Sequence, residues 1–179
     1  MLSALPLPIM SKPITLRGWE DTDAEERFSL FRDPDIAKYI GASPEFLEAS
    51  TSKLREDIRS TAAKEQYRLA LCLETGKLIG FIAIQPMKRG DSRHELVIGI
   101  RSEHRMEHHA SIAARALLSA AFDTNPTLDA VYGRREWGNH GSRGLMRALR
   151  MRPAGLEPST NSTSTCPDRL YILTRANME

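Results

Sequence analysis

Four short stretches of this chain carry side chains able to do chemistry. Glu95 opens the apolar run Leu96-Val97-Ile98-Gly99-Ile100. A carboxylate there can accept a proton, although a lone acid at a strand start is most often a solvated surface group. His104, His108 and His109 cluster just before an Ala-rich segment. On a helix, the four-residue spacing of His104 and His108 would turn two imidazoles to one face for a metal ion. Glu103, Glu107 and His94 are near in sequence, but none makes a convincing third ligand. The stretch therefore reads as a polar loop, and no metal is expected. Asn139-His140-Gly141-Ser142 opens a helical run, with Asn139 an N-cap and Ser142 a first-turn hydroxyl able to satisfy an amide. Arg134, Arg135, Arg143, Arg147, Arg150 and Arg152 form a basic run interrupted by one acid, Glu136. It reads as a solvated helix face with strand ends, or as an electropositive rim. Trp137 is the one aromatic nearby, which argues against base recognition and against a nucleic-acid partner.

The elements that must hold these groups are legible as periods and breakers. Ile14-Thr15-Leu16-Arg17 alternates as a short strand after an irregular lead-in over residues 1–12. Asp21-Thr22-Asp23 offers capping oxygens to a helix carrying Phe28, Leu30 and Phe31. Asp33-Pro34 ends that helix and starts a second, with Ile36, Tyr39 and Ile40 as its apolar residues. Ser43-Pro44 starts a longer helical stretch to about Lys64. Tyr67 to Leu73, the turn Glu74-Thr75-Gly76-Lys77, and Leu78 to Ile84 make the clearest hairpin. A basic loop from Pro86 to Ser92 leads to a strand over Glu95 to Ile100. Ala110 to Phe122 is a helix stopped by Asn125-Pro126. A strand over Leu128 to Gly133 and a helix over Gly141 to Leu149 follow. Residues 155–167, rich in Ser, Thr and Pro, read as a loop, and Leu170 to Thr174 as a closing strand.

The chain has 179 residues, 41% of them hydrophobic and 27% charged, which suits one globular domain over 13–179 behind its lead-in. A net charge of +2 is too small to argue for a polyanionic partner. The two cysteines, Cys72 in an apolar run and Cys166 in a polar tail, make no disulfide framework, so a reducing cytoplasm is the natural compartment. Met1 to Met10 is broken by Pro6 and Pro8 and lacks a leading basic residue, unlike a signal peptide. No apolar run approaches the ~18 residues needed to span a bilayer, so no membrane association is expected. Asn161-Ser162-Thr163 matches a glycosylation sequon, with no secretion signal to support its use.

The order of these parts resembles the GNAT acyltransferases, in the branch that acetylates ribosomal-protein N-termini and related amines. Thr15-Leu16-Arg17 with Asp21 to Ala24 and Asp33-Pro34 is similar to the branch's opening, and Lys77-Leu78-Ile79-Gly80 to its hairpin. Glu95 to Ile100 sits where the pantetheine strand belongs. Arg105-Met106-Glu107-His108-His109-Ala110 occupies the pyrophosphate loop, and Asn139 and Ser142 match an Asn-x-x-Ser motif. Two departures stand out. His108 replaces the loop's central glycine, where a β-carbon restricts the backbone. Arg150-Met151 replaces a Gly-Phe pair after the last helix.

The resemblance implies an α/β fold with a mixed, mostly antiparallel sheet of six or seven strands and helices on both faces. It implies acetyl-CoA as acyl donor and a primary amine as acceptor. Backbone from Val97, Ile98, Gly99 and Ile100 would pair with pantetheine. Arg105, Met106, Glu107, His108, His109 and Ala110 would hold pyrophosphate. Asn139 would bind the pantetheine arm, Ser142 would support the leaving sulfur, and Glu95 would take the amine proton. The basic run becomes a rim for CoA phosphates, and a homodimer is an option because the branch often forms one. Two alternatives stay open because of His108: a binding or regulatory module on the same fold, and an enzyme using a different acyl thioester.

Overall fold

The computed structural model describes residues 2–40, 52, 55–56, 67–88, 91–105, 107–159 and 166–178. Two strands, β1 (Ile9–Ser11) and β2 (Ile14–Arg17), precede two short helices, α1 (Ala24–Arg32) and α2 (Pro34–Ile40). The hairpin follows as β3 (Arg68–Leu73) and β4 (Leu78–Pro86), closed by the Leu73 amide donating to Lys77 O at 2.9 Å. The remaining elements are β5 (His94–Ile100), α3 (His109–Thr124), β6 (Ala130–Arg135), α4 (His140–Ala148), β7 (Arg152–Glu157) and β8 (Asp168–Thr174).

These strands form one eight-stranded sheet in the order β1-β2-β3-β4-β5-β6-β8-β7. Every pairing is antiparallel except β5 with β6. The fold is the expected mixed α/β sheet, with two edge strands beyond those read from the sequence. Ile9–Ser11 pairs with β2 inside the stretch read as an irregular lead-in, and β7 overlaps the stretch read as loop from residue 155. Neither has a period to announce it. β1 is three residues long, and β7 is largely exposed, so it lacks the apolar alternation that marks a half-buried strand. The helix expected from Ser43 to about Lys64 falls almost wholly outside the described residues.

Alternation along the central strands builds a core on each face. Ile82 and Ile84 of β4 and Leu96 and Ile100 of β5 pack with Ala113, Ala114, Leu117, Leu118 and Ala121 of α3. Phe81 of β4 and, partly buried, Val97 of β5 pack on the other face with Leu30 and Phe31 of α1 and Ile36 of α2. The alanines of α3 let its backbone approach the sheet, and its fully buried leucines each contribute roughly 1.5–3 kcal/mol of burial. Gly99 serves the opposite face. A β-carbon there would stand 2.4 Å from the Phe81 ring, so glycine allows that ring to lie against β5. At the C-terminus of α3, Arg175 donates to the carbonyls of Phe122 (2.5 Å), Asn125 (2.5 Å) and Leu128 (3.1 Å). A cation there also meets the negative end of the helix dipole. Among the described residues, no helix is long and apolar enough to cross a membrane.

Candidate active site

The site begins where two central strands part. β5 and β6 run parallel through His94↔Val131, Glu95↔Tyr132 and Leu96↔Gly133, and their pairing stops there. Two bonds at the ends of the β4–β5 ladder set its phase: Met87 N–H to Arg93 O and Arg101 N–H to Ile79 O, both 2.9 Å. In an antiparallel ladder, residues alternate between bonding to the partner strand and turning their amide groups away. By that alternation Glu95, Val97 and Gly99 bond toward β4, opposite Gln85, Ala83 and Phe81, while Leu96, Ile98 and Ile100 face β6. Arg175 N–H to Asp129 O (2.9 Å) phases the β6–β8 ladder in the same way. Val131 and Gly133 bond toward β8, and Tyr132 and Arg134 turn toward β5. The N–H of Ile98 and the carbonyl of Arg134 are therefore the first backbone groups past the end of pairing that face across the gap. Of the four residues expected to offer backbone to pantetheine, only Ile98 and Ile100 turn that way. Val97 and Gly99 turn theirs to β4, a consequence of strand alternation.

The loop between β5 and α3 closes one end of this gap. Arg105 folds back, with Nε donating to Ile100 O at 3.0 Å and Nη1 to Asp35 Oδ2 of α2 at 2.7 Å. Its guanidinium thus ties the loop to α2 and covers the carbonyl at the end of β5. Met106 lies outside the described residues. Glu107 and His108 are exposed, and Ala110 is half-buried. His108 is the N-cap of α3 at φ 60°, ψ 3°, the left-handed conformation that glycine adopts at low cost. The His108 side chain makes no capping bond to this helix. The first amides accounted for are Ser111 and Ile112, which both donate to His108 O. The N–H groups of His109 and Ala110 stand before them at the positive end of a 16-residue helix, an arrangement suited to an anion.

The histidines do not assemble as the helical spacing would have them. His104 ends a short 3-10 turn and His108 is left-handed, so the two do not share a helix face. His109 is buried, with its ring 6.4 Å from that of His104. Glu107 Oε2 stands 3.3 Å from His109 Nδ1 without the alignment of a hydrogen bond. Among the described residues, no group of three or more ligating side chains could hold a metal ion.

The other side of the gap is the start of α4. The Asn139 amide donates to Glu136 O at 3.1 Å across a tight turn, with Gly138 at φ 84°. A positive φ at that position of a turn favours glycine. Asn139 Oδ1 then accepts from the Ser142 amide at 2.9 Å, the cap expected from the sequence. Ser142 Oγ donates to Arg134 O at 3.3 Å. That carbonyl faces the gap, so the hydroxyl sits at its mouth.

Glu95 has its carboxylate on the α1 and α2 face, with both oxygens engaged. Oε1 accepts from Gln85 Nε2 at 3.1 Å and Oε2 from Arg134 Nε at 3.3 Å. Two of roughly four acceptor positions on a carboxylate remain. Arg134 is the functional candidate that reading the chain missed, because it was grouped with a basic rim. Its side chain is 12% exposed and points inward to Glu95, Glu157 (3.2 Å) and Asp168 (3.5 Å). Strand parity was the available signal, since Arg134 alternates with Val131 and Gly133 and belongs to the face of Glu95. Beside it, Arg93 pairs with Glu157 at 2.7 Å and Asp91 at 3.0 Å, and its guanidinium holds both carboxyls below the usual range.

Comparison with known proteins agrees with this geometry. A profile of the acetyltransferase (GNAT) domain matches residues 14–152. The fold is similar to an acetyltransferase of the GNAT family from Bacillus anthracis (20% identity, TM-score 0.77, covering 97% of this chain and 100% of that one). It is similar to a ribosomal-protein-S5-alanine acetyltransferase from Vibrio fischeri (12% identity, TM-score 0.78, 97% and 99%). It is also similar to a spermidine N-acetyltransferase from Vibrio cholerae solved with CoA and spermine (18% identity, TM-score 0.75, 93% and 98%). Comparison with curated proteins finds no match. Strands that part after three rungs and a domain match across most of the chain lead to one conclusion: this protein belongs to the GNAT acetyltransferase family.

Proposed function

We propose that the protein is an N-acyltransferase that moves an acetyl group from acetyl-CoA to a primary amine by direct attack, the acceptor being a protein N-terminus or a small molecule. The observation that carries this reading is the end of β5–β6 pairing at Leu96↔Gly133, with Ser142 Oγ bonded to the Arg134 carbonyl beyond it. The Vibrio fischeri and Vibrio cholerae neighbours are named for an alanine of ribosomal protein S5 and for spermidine, which supports an amine acceptor. Acetyl-CoA supplies an activated acyl carbon and a sulfur leaving group. The Ile98 N–H is placed to hold a carbonyl oxygen in the gap. The Ser142 hydroxyl, a weaker acid than a thiol, turns from the Arg134 carbonyl to donate its single hydrogen bond to the departing sulfur, and does not give up the proton. Asn139 uses Oδ1 for its cap, which leaves Nδ2 to bond the pantetheine arm. The amides of His109 and Ala110 fit the pyrophosphate, and Arg105 adds charge once it leaves Asp35. Glu95 takes the amine proton, directly or through a water, at an acceptor position not used by Gln85 or Arg134.

The left-handed backbone at His108 supports this reading, because the loop keeps a glycine-like turn while the imidazole is exposed. The pairing of Arg105 with Asp35 favours the second reading, a GNAT-fold binding module or a different thioester donor. Calorimetric titration with acetyl-CoA, CoA and dephospho-CoA separates them, followed by turnover on a panel of N-terminal peptides and polyamines. Saturable micromolar binding of acetyl-CoA with amine-dependent release of CoA is expected. Failure of all three ligands to bind the folded protein would remove acetyl-CoA as donor.

A further inference from the structure

The two groups assigned to proton transfer and leaving-group support sit on different elements, yet both bond to one residue. Arg134 donates from Nε to Glu95 Oε2 at 3.3 Å, and its own carbonyl accepts from Ser142 Oγ at 3.3 Å. Its guanidinium sends each nitrogen to a separate carboxylate, Nε to Glu95, Nη2 to Glu157 and Nη1 to Asp168. The two outer carboxylates have anchors of their own. Glu157 is held by Arg93 Nη1 at 2.7 Å, and Asp168, 1% exposed, by Ser159 Oγ at 3.1 Å. Those anchors set the plane of the guanidinium, and the plane in turn directs Nε at Glu95. On its other side Glu95 is held by Gln85, whose Oε1 accepts from Arg68 Nη2 at 2.9 Å. The chain of contacts crosses β3, β4, β5 and β6 on the face opposite α3, at the point where β5 and β6 part.

We infer that Arg134 is a positioning residue for the transfer. It aims the Glu95 carboxylate from across the gap and ties that aim to the strand whose carbonyl holds Ser142. The inference rests on the assignment of Glu95 given above. A planar, three-armed cation is required, because a lysine ammonium at the same place keeps the charge but cannot hold three carboxylates in one plane. A strut that only stabilised the sheet would change stability and donor binding together. A positioning residue changes turnover through Glu95 and leaves the donor groove alone.

The test is a double-mutant cycle of Arg134→Lys and Glu95→Gln in the full chain, using the peptide or polyamine that the acceptor panel selects. Calorimetric Kd for acetyl-CoA and thermal unfolding are recorded for each variant. R134K is expected to lower kcat roughly tenfold while the acetyl-CoA Kd changes less than threefold. In the E95Q background R134K should cost nothing further. If the two losses multiply, or R134K turns over like wild type, the inference falls while the role of Glu95 stands. If E95Q alone turns over like wild type, the role of Glu95 falls first and takes the inference with it. Glu157→Gln serves as a milder probe should R134K fold poorly. It loosens the guanidinium plane without removing the cation beside buried Asp168, and its smaller loss of kcat should also vanish in the E95Q background. Persistence of that loss there would overturn the inference.

Discussion

The two helices that flank the candidate donor groove start in opposite ways. At α4 the chain satisfies itself, with Asn139 Oδ1 taking the Ser142 amide and a glycine turn delivering the cap. At α3 the N-cap residue His108 makes no side-chain capping bond, and its backbone is left-handed. A capped start fixes a side chain, here the Ser142 hydroxyl. An uncapped start keeps its amides for a ligand. In the function proposed above, the same local chemistry would serve catalysis at one end of the groove and anion binding at the other.

The largest effect that would sharpen this contrast is at the capped start. Ser142→Ala should lower kcat by about 100-fold with little change in donor affinity, read by steady-state kinetics beside calorimetry. A drop in affinity with unchanged kcat would place Ser142 in binding only. Next comes the uncapped start. Ala110→Glu sets a carboxylate where the pyrophosphate is proposed to lie. It should weaken acetyl-CoA roughly tenfold or more while stabilising α3 by about 0.3–1 kcal/mol through the helix dipole. Unchanged affinity would mean that the α3 amides do not bind the donor.

Asn139→Ala breaks the cap itself. A loss of about 1 kcal/mol is expected, seen as a fall of roughly 2–4 °C in Tm, with a further loss of turnover because Ser142 is no longer held. The smallest effect is at His108. Replacement by glycine relieves a left-handed cost of about 1–2 kcal/mol but adds roughly 0.5–1 kcal/mol of backbone entropy to lose on folding. His108→Gly should therefore stabilise by at most ~1.5 kcal/mol and tighten donor binding only slightly. A large gain in affinity would mean that the imidazole crowds the loop.

A change of pH separates the capped start from the ion pairs beside it. The cap joins a side-chain amide to a backbone amide, neither of which titrates in the working range. Asp91 and Glu157, by contrast, are held below the usual carboxylate range by Arg93. Their stabilisation is complete above the ordinary carboxylate range and is lost as pH falls through the lowered values. Acid unfolding followed by circular dichroism should therefore begin below about pH 4.5. Arg93→Gln should flatten that part of the curve while leaving the effect of Asn139→Ala unchanged.

Much of the fold was legible along the chain. The β3–β4 hairpin carries its own turn, α3 its own period and stop, and α4 its own cap, all set by residues a few positions apart. β1 and β7 were not legible. A three-residue edge and a largely exposed edge acquire strand geometry from their neighbours rather than from their own pattern. The parts of the site divided along the same line. Asn139 and Ser142 were readable because a cap is a local bond. The orientation of Arg105 toward Asp35, 70 residues away, was not.

By itself the sequence determined which segments become strands and helices at the centre of the molecule, where α4 is capped, and the family to which the pattern belongs. These depend on periodicity and on contacts within a turn or two. Only the tertiary structure decided that pairing of β5 and β6 ends at Leu96↔Gly133, that Ile98 and Ile100 rather than Val97 and Gly99 turn toward the gap, and that Arg134 faces Glu95 instead of solvent. Each of these depends on the register and phase of strands distant in the chain. Register is a property of the pair, so no single strand can carry it.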